Sequence, residues 1–365
     1  MKKTLVLVLT WIVLINFFGL IAWNRWNVNK DTAYNWIDPK HLHAPTWNVT
    51  KLPARWDSEW YNGLAKNGYQ FRDVNSFSNI VFFPVYPLLM HALGTVTNDD
   101  EKLAGWLISL ASLIGAALIF YKLVKEFHPK LDALEPLWFL LIFPTAIFFN
   151  AVYTESIFLF LSLSTIYLAR KKMFGFAALV GAVAALTRVT GVLLFLPLVW
   201  EYLATHKGKN ALHPRGLTLL LIPLAAFSFF LYHKIAFGSF WLFFRIETVW
   251  GRSLLTLNRE HFFRGTHAAE ANLLLDAGFV LLAIALIIIA WKKIRPSYAI
   301  YATASLLVPL STGSLMSIGR YILVLFPLHM ALATLPPAWK RGWTLLSILL
   351  LGLYATLFAH SYWAG

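Results

Sequence analysis

Long apolar runs recur from one end of the chain to the other, and their spacing predicts helices that cross a lipid bilayer. A crossing helix needs about 20 mostly apolar residues. The first run covers 4–23, behind Met1-Lys2-Lys3. Its flank, Ala22-Trp-Asn-Arg25, has no small-x-small cleavage site, so an uncleaved anchor is expected rather than a signal peptide. Further runs lie at 103–121, 134–153, 154–169, 173–187, 189–203, 217–237, 272–291, 297–312, 321–335 and 343–360. One more apolar stretch, 80–96, is short and holds Pro84 and Pro87, which break helical hydrogen bonding. It is expected to be re-entrant or interfacial, since such backbone is tolerated where protein or a wet cavity surrounds it. The pattern predicts an all-α polytopic membrane protein of about eleven spans, in a single domain over residues 1–365. No internal repeat or low-complexity stretch interrupts it.

Composition agrees. The 365 residues are 59% hydrophobic and 13% charged, against about 45–50% and 25% in soluble domains, so lipid must cover much of the surface. The net charge of +14 resides largely in short loops and reads as attraction to anionic cytoplasmic lipid, not to nucleic acid. With no cysteine, disulfides and thiolate metal sites are excluded.

The basic residues also orient the chain. With the N-terminus inside, the short inner loops carry Lys122, Lys125 and Lys130; Arg170, Lys171 and Lys172; Lys207, Lys209 and Arg215; Lys292, Lys293 and Arg295; and Lys340 and Arg341. That is the positive-inside pattern, and it holds only if 80–96 does not cross. The C-terminus then lies outside. A long first outer loop runs over 24–102, and a second large one over 238–271. The second carries Arg245, Arg252, Arg259 and Arg264 against the trend.

The outer loops hold the unusual residues. In Arg55-Trp-Asp-Ser-Glu-Trp-Tyr61, residues Trp56, Trp60 and Leu64 recur every four positions, which predicts an amphipathic helix in the membrane interface. Asp57 at its start has two readings: a helix N-cap, or a general base held at the membrane surface. Glu59 and Asp73 are rival carboxylates. Trp56, Trp60 and Tyr61 read as an interfacial aromatic belt or as stacking surfaces for sugar. Glu155, Arg188, Arg252 and Arg320, the last followed by Tyr321, fall between apolar runs on the same side. Ionisable groups at membrane depth mark a site or a pair. Glu155 with Arg188 is one candidate pair; convergence of the arginines on an anionic ligand is the other reading, because a guanidinium binds phosphate through paired, charge-assisted hydrogen bonds. Histidines 41, 43, 261 and 267 show no metal-ligand spacing, so a metal site is not supported and no cofactor is expected, the need for a metal being left open by the sequence. Asp99-Asp100-Glu101 reads as a solvated acidic face. No glycine-rich nucleotide loop is present, so an outward-facing enzyme would receive its activated substrate on a lipid.

Several segments, in order from about 55 to 327, resemble the PIG-V-type mannosyltransferases and their prokaryotic relatives. They are Arg55-Trp-Asp-Ser-Glu-Trp-Tyr61, Gly68-Tyr69, Phe82-Phe-Pro-Val-Tyr-Pro87, Phe143-Pro-Thr-Ala-Ile-Phe-Phe-Asn-Ala-Val-Tyr-Thr-Glu-Ser156, Ala185-Leu-Thr-Arg-Val-Thr-Gly191, Trp250-Gly-Arg252 and Gly319-Arg-Tyr321. The resemblance implies the GT-C class of polytopic glycosyltransferases. It implies a donor sugar on a polyprenyl or dolichyl phosphate, with Asp57 as catalytic base. On that reading Arg55, Trp56, Trp60, Tyr61, Glu155, Arg188, Arg252, Arg320 and Tyr321 bind substrate. The acceptor is a glycan, lipid or protein. The chain is short for a eukaryotic member and its late outer loop compact, which favours a prokaryotic cell membrane. Two other classes compete: a transporter or flippase of an anionic lipid, using the same arginines without a base, and a non-catalytic scaffold.

Overall fold

The computed structural model describes residues 1–25, 47–206, 214–252 and 267–364. His41, His43, Lys207, Lys209, Arg259, His261 and Arg264 lie outside the described residues, as do the side chains of Arg215 and His267.

Among the described residues the fold is helical throughout, with no strand. In chain order the helices are α1 (Lys2–Arg25), α2 (Asp57–Asn67), α3 (Val85–Gly94), α4 (Glu101–Phe127), α5 (Leu134–Leu141), α6 (Glu155–Arg170), α7 (Phe174–Ala185) and α8 (Phe195–Thr205). They continue with α9 (Leu221–Phe237), α10 (Leu242–Val249), α11 (His267–Lys293), α12 (Pro296–Ser311), α13 (Ile318–Leu323), α14 (Phe326–Ala333) and α15 (Pro337–Ala359).

Among the described residues, five helical stretches are long and apolar enough to cross a membrane: Lys2–Arg25, Glu101–Phe127, Gly216–Phe237, Glu270–Lys293 and Pro337–Ala359. Only 28–39% of each apolar stretch is buried inside the protein, so most of its surface is left for lipid. The other apolar runs form shorter or broken helices. Run 134–153 divides into α5 and a 3-10 turn, Ala146–Asn150, around Pro144. Run 321–335 divides into α13 and α14, with Pro327 in the first turn of α14, where a missing N–H costs nothing. Every residue of α14 is buried. A helix surrounded by protein can satisfy its ends with protein partners, which lipid does not offer.

The stretch 80–96 forms a 3-10 turn and then α3, ten residues long. At about 15 Å this is half of a bilayer core. Pro84 sits at its N-cap and Pro87 in its first turn, so neither breaks it. Tyr86 docks α3 on α4, its hydroxyl 2.9 Å from both the Gly105 carbonyl and Ser109 Oγ. The buried face of α2 is Ser58, Tyr61, Leu64 and Ala65, one position round from the expected stripe of 56, 60 and 64. Its tryptophans pack on other rings of the protein: Trp60 stacks on Phe82 and meets Trp250 edge-on, and Trp56 meets Trp363.

At the far end of α6 from Glu155, the ends of several helices are tied together. Lys171 pairs with Glu126, and Arg170 stacks on Phe127. The buried Glu201 carboxylate of α8 accepts from Arg295 Nε and Nη2, the latter at 2.7 Å, and from Ser297. The α6 helix separates this basic end from Glu155 by about 22 Å.

Replacing Glu201 by Ala strands the Arg295 guanidinium and the Ser297 hydroxyl together. Breaking a buried pair costs about 3–5 kcal/mol, and Arg295 is partly solvated, so a cost of about 2 kcal/mol is expected. A lower melting temperature in detergent checks this, with Glu201→Leu/Arg295→Met recovering much of the loss.

Candidate active site

The segment entering α2 is pinned on both sides of a strained residue. Trp56 has φ 51° and ψ −114°, a conformation that costs a non-glycine residue free energy and persists only where surroundings enforce it. The surroundings are visible. The Tyr153 hydroxyl donates to the Arg55 carbonyl and accepts from the Asp57 amide, both at 3.1 Å. Ser58 Oγ accepts from the Arg55 amide, and the Trp56 indole N–H donates to the Tyr362 carbonyl at 3.1 Å. Arg55 is buried behind this turn. Its guanidinium donates to the carbonyls of Lys51, Ala54 and Ala359 and lies 4.5 Å from the Trp23 ring.

Asp57 is the first helical residue, and the cap position before it makes no side-chain hydrogen bond. Asp57 does not cap the helix; its Oδ2 accepts from Arg320 Nη1 at 2.9 Å. The same guanidinium donates through Nε to Glu155 Oε1 at 2.9 Å. Arg188 Nη1 reaches that oxygen too, at 2.8 Å, and lies 3.3 Å from Thr154 Oγ1. Glu155, fully buried, thus holds two arginines from distant parts of the chain. The Arg320 guanidinium rests against the Phe148 and Tyr153 rings, at 4.8 and 4.6 Å, so its faces are dry and its edge is charged.

Local backbone explains how each arginine arrives. The Arg188 amide bonds back to the Ala184 carbonyl as α7 ends. The chain then turns so closely over α7 that a Cβ on Gly191 would lie 2.3 Å from the Ala184 oxygen, which only glycine avoids. Arg320 lies in α13, where Thr145 Oγ1 donates to the Gly319 carbonyl at 2.9 Å. The end of α10 delivers Arg252. The Arg252 amide bonds to the Glu247 carbonyl and the Gly251 amide to that of Thr248, with Gly251 at φ +78°. This is a Schellman motif, and it turns Arg252 back over Glu247, their charged atoms 3.6 Å apart. The guanidiniums of Arg188 and Arg252 both lie over the Tyr321 ring, at 5.3 and 5.6 Å. Arg320 and Arg252 are therefore part of one cluster bridged by Tyr321 and Arg188.

Beside it opens a cavity of about 570 Å³. Arg245, Glu247, Arg252 and Tyr321 line one part; Val189, Phe243, Val308, Pro309 and Met316 line another. Its lining begins at Arg252 and Tyr321, one layer out from Asp57 and Arg320. Burial pushes the Glu247 carboxyl up, against the opposing pull of Arg252.

The residues read from the sequence divide plainly. Asp57, Glu155, Arg188, Arg252, Arg320 and Tyr321 are brought together. Tyr61 supports them: it is buried, its hydroxyl 3.4 Å from the Thr154 oxygen that Arg188 also reaches. Trp60 flanks the group through Trp250, while Trp56 faces the C-terminal segment and the Arg55 terminal nitrogens donate to backbone carbonyls behind the turn. Glu59 pairs with Lys102 and Asp73 accepts from the Asn75 amide, so neither rival carboxylate joins the arginines. Sequence reading missed Glu247, Thr154 and Tyr153. The last two stand inside the quoted Tyr-Thr-Glu segment; the carboxylate five residues before Arg252 was the available signal for Glu247. Among the described residues no group of three or more His, Asp or Glu side chains is placed to hold a metal ion.

No family model matches the chain. Among curated proteins it is similar to GPI mannosyltransferase 2 of Cryptococcus neoformans, at 31% identity over 150 residues, covering 38% of this chain and 34% of that protein. It is also similar to GPI mannosyltransferase 2 of Yarrowia lipolytica, at 28% over 180 residues, covering 48% and 47%. The chain thus matches a third to a half of the length of these relatives. Among solved structures, ArnT from Cupriavidus metallidurans bound to undecaprenyl phosphate superposes with a TM-score of 0.52 at 17% identity, over 93% of this chain and 63% of ArnT. The chain is accordingly similar, over the matched stretch, to the GPI mannosyltransferase 2 (PIG-V) proteins, and it shares the fold of ArnT.

Proposed function

We propose that this chain is a membrane glycosyltransferase that moves a sugar, mannose by kinship, from a polyprenyl or dolichyl phosphate to an acceptor hydroxyl. The observation that carries this reading is a carboxylate, Asp57, locked onto Arg320 in a cluster that borders a cavity with one charged and one apolar wall. An amphiphile with a phosphate between a sugar and a hydrocarbon chain suits such a cavity. The kinship to mannosyltransferases and the fold of a protein solved with undecaprenyl phosphate support the same substrate class.

The chemistry balances with these residues alone. Asp57 takes the proton of the acceptor hydroxyl as that oxygen attacks the anomeric carbon. The bond from that carbon to the phosphate oxygen breaks, and its electron pair stays with the lipid phosphate, which gains one negative charge. Attack opposite the leaving group inverts the anomeric centre. General-base help of this kind contributes about 10²–10⁴-fold. Arg188, Arg252 and Arg320 stabilise the charge growing on the phosphate, with their positions set before the reaction. Glu155 does not react; it keeps two of those guanidiniums in place. Tyr321 carries the Arg188 and Arg252 guanidiniums on its ring, and Trp60 offers a ring to the sugar.

In a prokaryotic cell membrane, the proposed path has the N-terminus and the basic helix ends in the cytoplasm and the Asp57 cluster outside. It makes about eleven passes, with the short apolar helices completing it between the five long ones. The separation of the cluster from the basic end along α6 supports this path. An anionic-lipid transporter remains the alternative reading, because the arginines alone would serve it.

Asp57→Asn keeps the acceptor for Arg320 while removing the base. Purified protein is expected to keep its melting temperature and lose transfer from a lipid-phosphate sugar by at least about 10²-fold. Normal turnover would remove Asp57 from the reaction, and lipid movement without bond formation would select the transporter. Because the chain has no cysteine, single cysteines report orientation cleanly. A membrane-impermeant maleimide applied to intact cells is expected to label Asp99→Cys and to leave Lys130→Cys unlabelled; the reverse pattern would invert the path.

A further inference from the structure

Six charged side chains meet around the cluster: Arg188, Arg252 and Arg320 against Asp57, Glu155 and Glu247. With all six ionised the group has no net charge, and each of its three guanidiniums has a carboxylate partner; Arg245 lines the same cavity outside these pairs. A phosphate that engages Arg188, Arg252 or Arg320 must take that arginine away from its carboxylate. The contacts are unequal. Arg320 to Asp57, Arg320 to Glu155 and Arg188 to Glu155 span 2.8–2.9 Å, and Glu155 is fully buried. Glu247 to Arg252 spans 3.6 Å, and both partners line the cavity, with 17% and 21% of their side chains exposed. It is the longest of the four pairs and the one an incoming anion reaches first.

We propose that Glu247 is a positioning residue that holds Arg252 in the empty site and gives it up to the phosphate of the incoming lipid, acting as a counter-ion latch. The inference rests on the lipid-phosphate reading above and adds to it what holds one of its arginines before the lipid arrives. The backbone supports such an exchange. The Schellman turn fixes the Arg252 main chain through the Glu247 and Thr248 carbonyls, so the guanidinium changes partner by side-chain rotation alone. Tyr321 lies beneath the guanidinium and gives it a ring face in both positions. Burial already disfavours the charged form of Glu247, so the carboxyl that Arg252 leaves behind is readily neutralised by a proton. Glu247 thereby sets how tightly an anion is bound without touching the transferred sugar.

The latch makes a prediction that a merely structural role does not: removing the carboxylate improves binding. The full chain in phosphatidylcholine nanodiscs is titrated with farnesyl phosphate at fixed pH and ionic strength. Melting temperatures establish that each variant is folded, and Arg252→Lys stands in if Arg252→Gln is not. Glu247→Gln is expected to bind about 3–10-fold tighter than wild type, because a competing negative charge near the phosphate is gone. Arg252→Gln is expected to bind more weakly, and Glu247→Gln/Arg252→Gln to match it, so that the gain requires Arg252. Wild-type binding with no gain, or a loss, in Glu247→Gln overturns the latch and leaves the lipid-phosphate reading standing. A gain that persists without Arg252 overturns it as well. Absence of saturable binding by wild type removes the lipid-phosphate reading and the latch with it.

Discussion

The site depends on one buried carboxylate. Glu155 has no solvent exposure, and its Oε1 accepts from both Arg188 and Arg320. A charge in that position is costly to desolvate, and a hydrophobic replacement of equal volume often stabilises a fold as well or better. Ionisable groups at membrane depth are correspondingly rare. What the arrangement secures is geometry. Through Glu155, α6 ties the turn after α7 to α13, and through Arg320 it ties both to the start of α2. Segments separated by more than a hundred residues are thus fixed to one another within a few ångströms. The glycine at 191 and the Schellman turn at 251 then place their arginines with little conformational freedom. The strained Trp56 belongs to the same economy of position: Tyr153 and Tyr362 enforce a backbone that aims Asp57 at Arg320.

Much of this was legible in the sequence, and the reason is chemical. In a chain this apolar, a charged residue between two hydrophobic runs stands out, so Glu155, Arg188 and Arg320 announced themselves. Pairing of Glu155 with Arg188 is one of the two readings the sequence offers, and the structure shows that pair with Arg320 added to it. Periodicity served the long helices well, from Lys2–Arg25 to Pro337–Ala359. It overstated the short ones, because a hydropathy run does not distinguish a lipid-facing span from a helix such as α14 that is wrapped in protein. It also set the α2 stripe one position off. Tryptophan spacing points to the membrane face, whereas Tyr61 and Ser58 fill the protein side and the tryptophans meet other rings. Glu247 stands out less because it falls in α10, inside the predicted second outer loop, where a carboxylate is ordinary; only the turn that folds Arg252 back over it makes it part of the site.

The cavity and the ion cluster together offer what the proposed substrate, part hydrocarbon, part phosphate and part sugar, would require. Apolar contacts from Val189, Val308 and Met316 sit within the same cavity as the arginine edge. Apolar burial is non-directional, while guanidinium contacts fix orientation. On the proposed function, the first would bring an isoprenoid in and the second would set which bond faces Asp57. The proposed chemistry then needs little more than charge placement, since the phosphate is already a competent leaving group.

The most direct measurement is an experimental structure of the chain with a non-transferable lipid-phosphate sugar bound. The account predicts phosphate oxygens within hydrogen-bonding distance of the Arg252 guanidinium and facing Arg188 and Arg320, the lipid chain along Val308 and Met316, and the Asp57 carboxylate on the side of the anomeric carbon away from the phosphate. A phosphate seated away from all three arginines, or a sugar with protein packed between it and Asp57, would contradict it.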